Sequence, residues 1–120
     1  MADFTAQERQ QLDKADEVQV GFRPEQRIPI WIVVDGDNVY VRSVKGPDGK
    51  WYQALAAGRP FWLHAGSSEW SIAGEHVTDS ADIDRVSEAF RRKYLKRWRA
   101  STEAMLRPET LPTTMRIAPA

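Results

Sequence analysis

Residues 30–63, IWIVVDGDNVYVRSVKGPDGKWYQALAAGRPFWL, leave this chain the fewest ways to fold. Residues 30–34 are apolar on both faces, which reads as a strand covered on both sides and therefore central in its sheet. The Asp35-Gly36-Asp37-Asn38 run tolerates positive φ, so it joins that strand to a second one, residues 39–44, as a hairpin. On the second strand Val39, Val41 and Ser43 share one face, and Tyr40, Arg42 and Val44 share the other. Arg42 therefore either snorkels to solvent or points into a polar pocket. Residues 51–57 are helix-compatible and stop at Gly58, which suits a left-handed C-cap.

The flanks extend this pattern. Thr5 with Glu8 three positions later marks a helix start, and Phe4 and Leu12 lie eight apart on one face. An amphipathic surface helix is expected over residues 5–15. Val18, Val20 and Phe22 alternate with Gln19 and Gly21 at the period of a half-buried strand. Residues 23–29 form a polar connection with two prolines. Residues 61–65 and 69–77 make another hairpin across Gly66-Ser67-Ser68. Asp79 or Ser80 opens the clearest helix, with Ile83, Val86, Phe90, Tyr94 and Trp98 in one stripe. Asp82 and Asp84 near its start and Arg91, Arg92, Lys93, Lys96 and Arg97 near its end complement the helix dipole. Residues 100–106 extend or restart it, and residues 113–118 alternate as a final strand.

Short antiparallel strands between helices specify an α+β fold with the sheet curled around one core. A chain of 120 residues fits one domain. Its expected parts are a helix at about 5–15, barrel strands at about 18–77, a helical segment at about 80–106 and a strand at about 113–118. Without cysteine there is no thiol nucleophile or thiolate metal site. The first residues have no signal-peptide apolar run, and no stretch reaches the ~20 apolar residues that span a bilayer. A soluble, cytoplasmic protein without membrane contact is expected.

The chemistry-bearing residues gather in RSVKGPDGKWY. Arg42, Ser43, Lys45 and Lys50, with backbone N–H groups freed by Gly46 and Gly49, make an anion cradle. Trp51 follows as a flat ring for stacking. The same residues also read as an ordinary loop whose Pro47-Asp48-Gly49 is turn chemistry. Trp31 and Trp62, on strands, are expected in the core, whereas Trp51 and Trp70 suit a pocket or a dimer interface. His64 and His76 fall on strands that should pair, so they could come close, but two histidines do not complete a metal site and none is expected. Residues 91–99, RRKYLKRWR, have the composition of a nucleic-acid surface. Seventeen basic residues balance seventeen acidic ones, and the helix dipole explains the basic end, so a nucleic-acid partner is not expected.

The run PIWIVVDGDNVYVRSVKGPDGKWYQALAAG, followed by a β-hairpin, resembles the bacterial domain-of-unknown-function family 2255. More remotely it is similar to the flavin- and deazaflavin-binding split barrels, which include pyridoxamine-phosphate oxidases and deazaflavin-dependent nitroreductases. The near resemblance covers about residues 16–118. It implies a six-stranded split β-barrel, often dimeric, with the cofactor against the barrel strands. Carried over, it implies Arg42, Ser43, Lys45 and Lys50 as contacts to the phosphate of FMN or a deazaflavin, with Trp51 near the ring. His64 or Tyr40 then supplies a proton. The chain departs from the nitroreductases at Ala57-Gly58-Arg59-Pro60, where they usually carry Asn-Pro. A small oxidoreductase is the first expectation. The alternative is a non-enzymatic, dimeric or small-molecule-binding domain without cofactor.

Overall fold

A computed structural model describes residues 3–120 of the protein. Helix α1, Ala6–Lys14, begins where the sequence places it. The Glu8 N–H donates to Thr5 Oγ1 at 3.1 Å, and the Thr5 N–H donates to Glu8 Oε1 at 2.8 Å. That reciprocal pair satisfies two amide donors that a helix start leaves open. Phe4 and Leu12 are buried against the sheet. The Trp70 indole N–H donates to Glu8 Oε2 at 2.7 Å, which ties α1 down.

Seven strands form one antiparallel sheet: β1 Val18–Gly21, β2 Ile28–Ile30, β3 Val33–Asp35, β4 Asn38–Val41, β5 Trp62–Ala65, β6 Ser68–His76 and β7 Met115–Pro119. The order is β2-β1-β5-β6-β7-β4-β3. The expected six strands are thus seven, and residues 30–34 are the reason. This run is not one central strand. It breaks at Trp31 and Ile32 into β2 and β3, which occupy the two opposite ends of the order. Two residues alone separate those ends, so the sheet curls into a half-barrel. The run is still apolar on both sides for a physical reason. Ile30 and Ile32 enter the main core, and Val33 enters a second core beneath a helix.

That helix is α3, Ser80–Tyr94, whose first turn is capped by Asp79 accepting from the Asp82 N–H at 3.1 Å. Val86, Phe90 and Tyr94 face the sheet and pack with Val33 and Tyr40. α3 also repairs the break between β2 and β3. The Ile32 N–H donates to the Tyr94 hydroxyl at 3.2 Å, and Lys93 Nζ donates to the Ile32 carbonyl at 2.7 Å. Backbone groups that leave a ladder inside a protein need such partners. The helix stops at Tyr94, so Trp98 does not continue the stripe. It precedes a restarted helix, α4 Arg99–Met105, and is 40% exposed.

Helix α2, Lys50–Ala56, follows a single 3-10 turn at Gly46–Asp48. Its end is a Schellman motif: the Gly58 N–H donates to the Leu55 carbonyl at 3.1 Å and the Arg59 N–H to the Ala54 carbonyl at 3.2 Å. Gly58 sits at φ 74°, the left-handed conformation this motif requires. A second 3-10 turn, Leu111–Thr113, leads into β7. Among the described residues no helix is long and apolar enough to cross a membrane.

Candidate functional site: a basic cleft beside an aromatic slot

Arg42 follows β4 directly, and its side chain is 1% exposed. Nε donates to Thr114 Oγ1 at 2.7 Å, one terminal nitrogen to the Ile83 carbonyl at 2.9 Å and the other to the Met105 carbonyl at 3.4 Å. The guanidinium also lies 5.4 Å from the Phe90 ring centre. Burial, with Arg91 adding repulsion and Asp84 opposing it, lowers its pKa to about 10. Of the two environments open to Arg42, the polar pocket is the one observed. It joins β4 to α3, α4 and the approach to β7.

Ser43 is buried as well, and its N–H donates to Thr113 Oγ1 at 3.0 Å. The expected backbone cradle does not form. The Gly46 N–H is used by the Ser43 carbonyl at 3.0 Å, and the Gly49 N–H by the Gly46 carbonyl at 3.2 Å. The first closes a turn over residues 43–46 and the second the 3-10 turn that follows, so neither donor is left for an anion. What remains for an anion is side-chain charge.

That charge collects in a cleft of about 810 Å³ between α2 and the 22–29 segment. Ser43, Lys45, Lys50 and Trp51, four of the five residues singled out from the sequence, line it. Arg23 and Arg59 line it too, and these were not singled out from the sequence. All four cations are exposed. No carboxylate belongs to the cleft wall, and none of the four takes part in an ion pair among the described residues. The Arg23 and Arg59 guanidiniums lie over the Phe22 ring, 5.4 and 5.3 Å from its centre. Their one sequence signal is local: Arg23 adjoins an aromatic strand end, and Arg59 follows the helix-stop glycine. Nothing in the spacing joins them.

The turn that presents Arg23 is strained. The Gln26 N–H donates to the Arg23 carbonyl at 3.2 Å, with Pro24 and Glu25 between them. Glu25 holds φ 69°, the one positive φ outside glycine among the described residues. Turns of this shape favour glycine there, so a glutamate stores strain. The loop folds so tightly over β1 that a Cβ on Gly21 would stand 2.5 Å from the Gln26 carbonyl oxygen.

A second cavity, about 310 Å³, adjoins the cleft and shares Pro29, Val44 and Trp51 with it. Ile30, Trp31 and Met105 extend its apolar wall, with Glu17 and Ser101 as exposed polar neighbours and the buried Arg42 lining it from within. Trp31 is half-buried and not in the core. It stacks on Tyr94 with ring centres 3.9 Å apart and planes 9° from parallel. Trp62 is also half-buried, against expectation. The arrangement is a flat apolar slot beside a cationic trough.

The histidines do not meet. β5 and β6 do pair, but His64 stands opposite Glu69 while His76 stands opposite Met115. Burial and Arg27 lower the His64 pKa more than Glu69 raises it. The 3.4 Å contact between His64 Nδ1 and Glu69 is therefore made by a neutral imidazole at neutral pH. His76 hydrogen-bonds the Tyr52 hydroxyl at 2.6 Å. Tyr40 is buried, and burial together with Asp82 and Asp35 raises its pKa. Neither His64 nor Tyr40 lines the cleft or the slot. Among the described residues no group of three or more potential ligands could hold a metal ion.

The basic 91–99 segment is largely committed to internal contacts. Arg91 pairs with Glu88, and Arg97 grips both Asp16 carboxylate oxygens at 2.9 and 2.6 Å. Lys93 donates to the Leu12 and Ile32 carbonyls.

Curled antiparallel sheet and flanking helices define an α+β half-barrel that carries a cationic cleft. The chain belongs to the family described as "Uncharacterized protein conserved in bacteria (DUF2255)", whose model matches residues 8–117. No curated protein matches it. Among solved structures it is similar to the FAD and heme binding protein from Mycobacterium smegmatis, with a TM-score of 0.60 and 19% identity. The match covers 99% of this chain and 67% of that one. The shared fold agrees with the remote likeness to flavin-binding split barrels read from residues 30–63.

Proposed function

We propose that the protein binds a flavin or deazaflavin in the cytoplasm and acts as a small oxidoreductase on an organic acceptor. The observation that carries this reading is the cleft with four cations and no carboxylate, opening beside a flat apolar slot. A phosphate fits the first and a planar ring the second. The likeness in fold to a protein that binds FAD and heme supports the same class of ligand.

Lys45 and Lys50, with the Ser43 hydroxyl, would hold the phosphate, and Trp51 on the shared wall would flank the ring. Arg42 would act from behind, keeping β4 and the Ser43–Lys45 segment in place through its three acceptors. Pro29, Ile30, Trp31 and Met105 would exclude water from one ring face. When bound, the cofactor supplies the electron-transfer chemistry, and the protein supplies position and electrostatics. The absorbance spectrum of the purified protein tests the proposal. A flavin or deazaflavin band that persists on gel filtration is expected. A colourless protein that also fails to retain added FMN on dialysis refutes it.

One observation favours a second reading, a binding domain without catalysis. Neither His64 nor Tyr40 reaches the site, and Glu17 is the one carboxylate on either wall. In that reading Val44, 48% exposed at the slot, and Trp98, whose ring centre is 6.0 Å from that of Trp31, pair with a second copy of the chain. A Val44→Glu variant that sediments like the unmodified protein at all concentrations rules out pairing through this face.

A further inference from the structure

We infer that the cleft holds two separate anion subsites, and that Arg23 and Arg59 form the second. They would take a forked oxyanion, a carboxylate or a phosphate, distinct from the group held by Lys45 and Lys50. This rests on the cleft being a ligand site.

Helix α2 sets the spacing. Lys50 is its first residue, and Arg59 lies three residues past its last, Ala56. Seven helical residues span about 10 Å. Lys45, just ahead of the 3-10 turn that leads into α2, belongs to the same end as Lys50. The two lysines therefore start from one end of α2, and the two guanidiniums gather at the Phe22 ring at the other.

The arginine end is built, not incidental. Arg59 is the residue whose N–H closes the Schellman motif, so its backbone is fixed. Arg23 opens the strained turn through Glu25. Phe22 lies beneath both guanidiniums, which holds planar donors over an apolar base. Two like charges gathered around one ring favour an anion between or beside them; among the described residues neither guanidinium takes part in an ion pair, and Glu25 and Glu69 border Arg23 only in the neighbouring hollow, outside the cleft. Guanidinium forks match carboxylate and phosphate oxygens in pairs, whereas the lysines at the other end act as point charges. The two ends therefore differ in chemistry as well as place. The second anion is either a more distant group on the same ligand or a separate anionic acceptor.

Inorganic phosphate titrated into isotope-labelled protein, followed by amide shifts, separates these cases. Two sets of shifts with different midpoints are expected, one around Lys45 and Lys50 and one around Phe22 and Arg59. The Arg23→Gln/Arg59→Gln variant should weaken the second about tenfold or more and leave the first unchanged. Both side chains are exposed, so folding should survive the change. If FMN saturates the lysine end while phosphate still shifts the arginine end, the second anion comes from another molecule or from a longer tail. FAD closing that end assigns it to the tail; FAD leaving it open assigns it to another molecule. A single set of shifts removed by either pair of substitutions overturns the two-subsite inference, as does silence at the arginine end. FMN failing to bind while phosphate titrates both ends refutes the flavin reading and leaves the two subsites standing.

Discussion

Arg42 carries a set of long-range contacts that its local sequence does not announce. Strand alternation placed it beside Tyr40 and left two environments open, and charge in a glycine-rich stretch suggested a ligand contact. Its three acceptors come from Thr114 and the carbonyls of Ile83 and Met105, all far away in sequence, while its side chain also lines the slot. No local pattern encodes that cage. Arg42→Ala should lower unfolding free energy by roughly 2–4 kcal/mol, because buried carbonyls lose their donors and a cavity opens. Arg42→Lys should recover less than half of this, since an ammonium cannot reach three acceptors in a fork. Chemical denaturation gives both values. Unchanged stability with lost ligand affinity would mean that Arg42 serves the ligand and not the fold.

Lys93 carries a prediction of the same scale. Burial lowers its pKa to about 8 from an ordinary value of 10.5. Between pH 8 and pH 10 the unfolded chain therefore holds more of this proton than the folded one. The contribution of Lys93 to stability must rise with pH across that window. Above pH 10 Tyr94 interferes with the opposite sign, because burial raises its pKa to about 12. Urea midpoints for the protein and for Lys93→Met should diverge in favour of the unmodified chain from pH 8 to pH 10. A constant difference would contradict the burial of the charged ammonium.

Among the elements, those with complete local signals were legible. The Thr5–Glu8 capping box, the Asp79 cap, the Gly58 stop and the β5–β6 hairpin all lie within a few residues of the pattern that announces them. The break at Trp31 and Ile32 was not legible, and it decides the topology. Val, Ile and Trp at consecutive positions favour one continuous strand. What makes two of it is Tyr94, 62 positions away, whose hydroxyl accepts from the Ile32 N–H and whose ring stacks on Trp31. Tyr94→Phe should cost about 1–3 kcal/mol by leaving the Ile32 N–H without its partner. Faster hydrogen exchange should appear first at Ile32 and in β2 and β3. Loss of stability without faster exchange there would mean that the hydroxyl does not hold the break.

For the whole molecule, the half-barrel is what assembles the cleft and the slot. Lys45, Lys50 and Trp51 were readable because they are contiguous with the most informative stretch of the chain. Arg23 and Arg59 belong to separate turns, and only the curling of the sheet sets β1 and α2 on either side of one cleft. Binding of a phosphorylated planar ring by this cleft and the adjoining slot remains a proposal. It is tested most directly by titrating FMN while following tryptophan fluorescence, in the protein and in Lys45→Ala/Lys50→Ala. Saturable quenching is predicted, with affinity at least about tenfold weaker in the variant and falling with added salt. No quenching, or quenching that ignores both the lysines and the salt, would contradict the account.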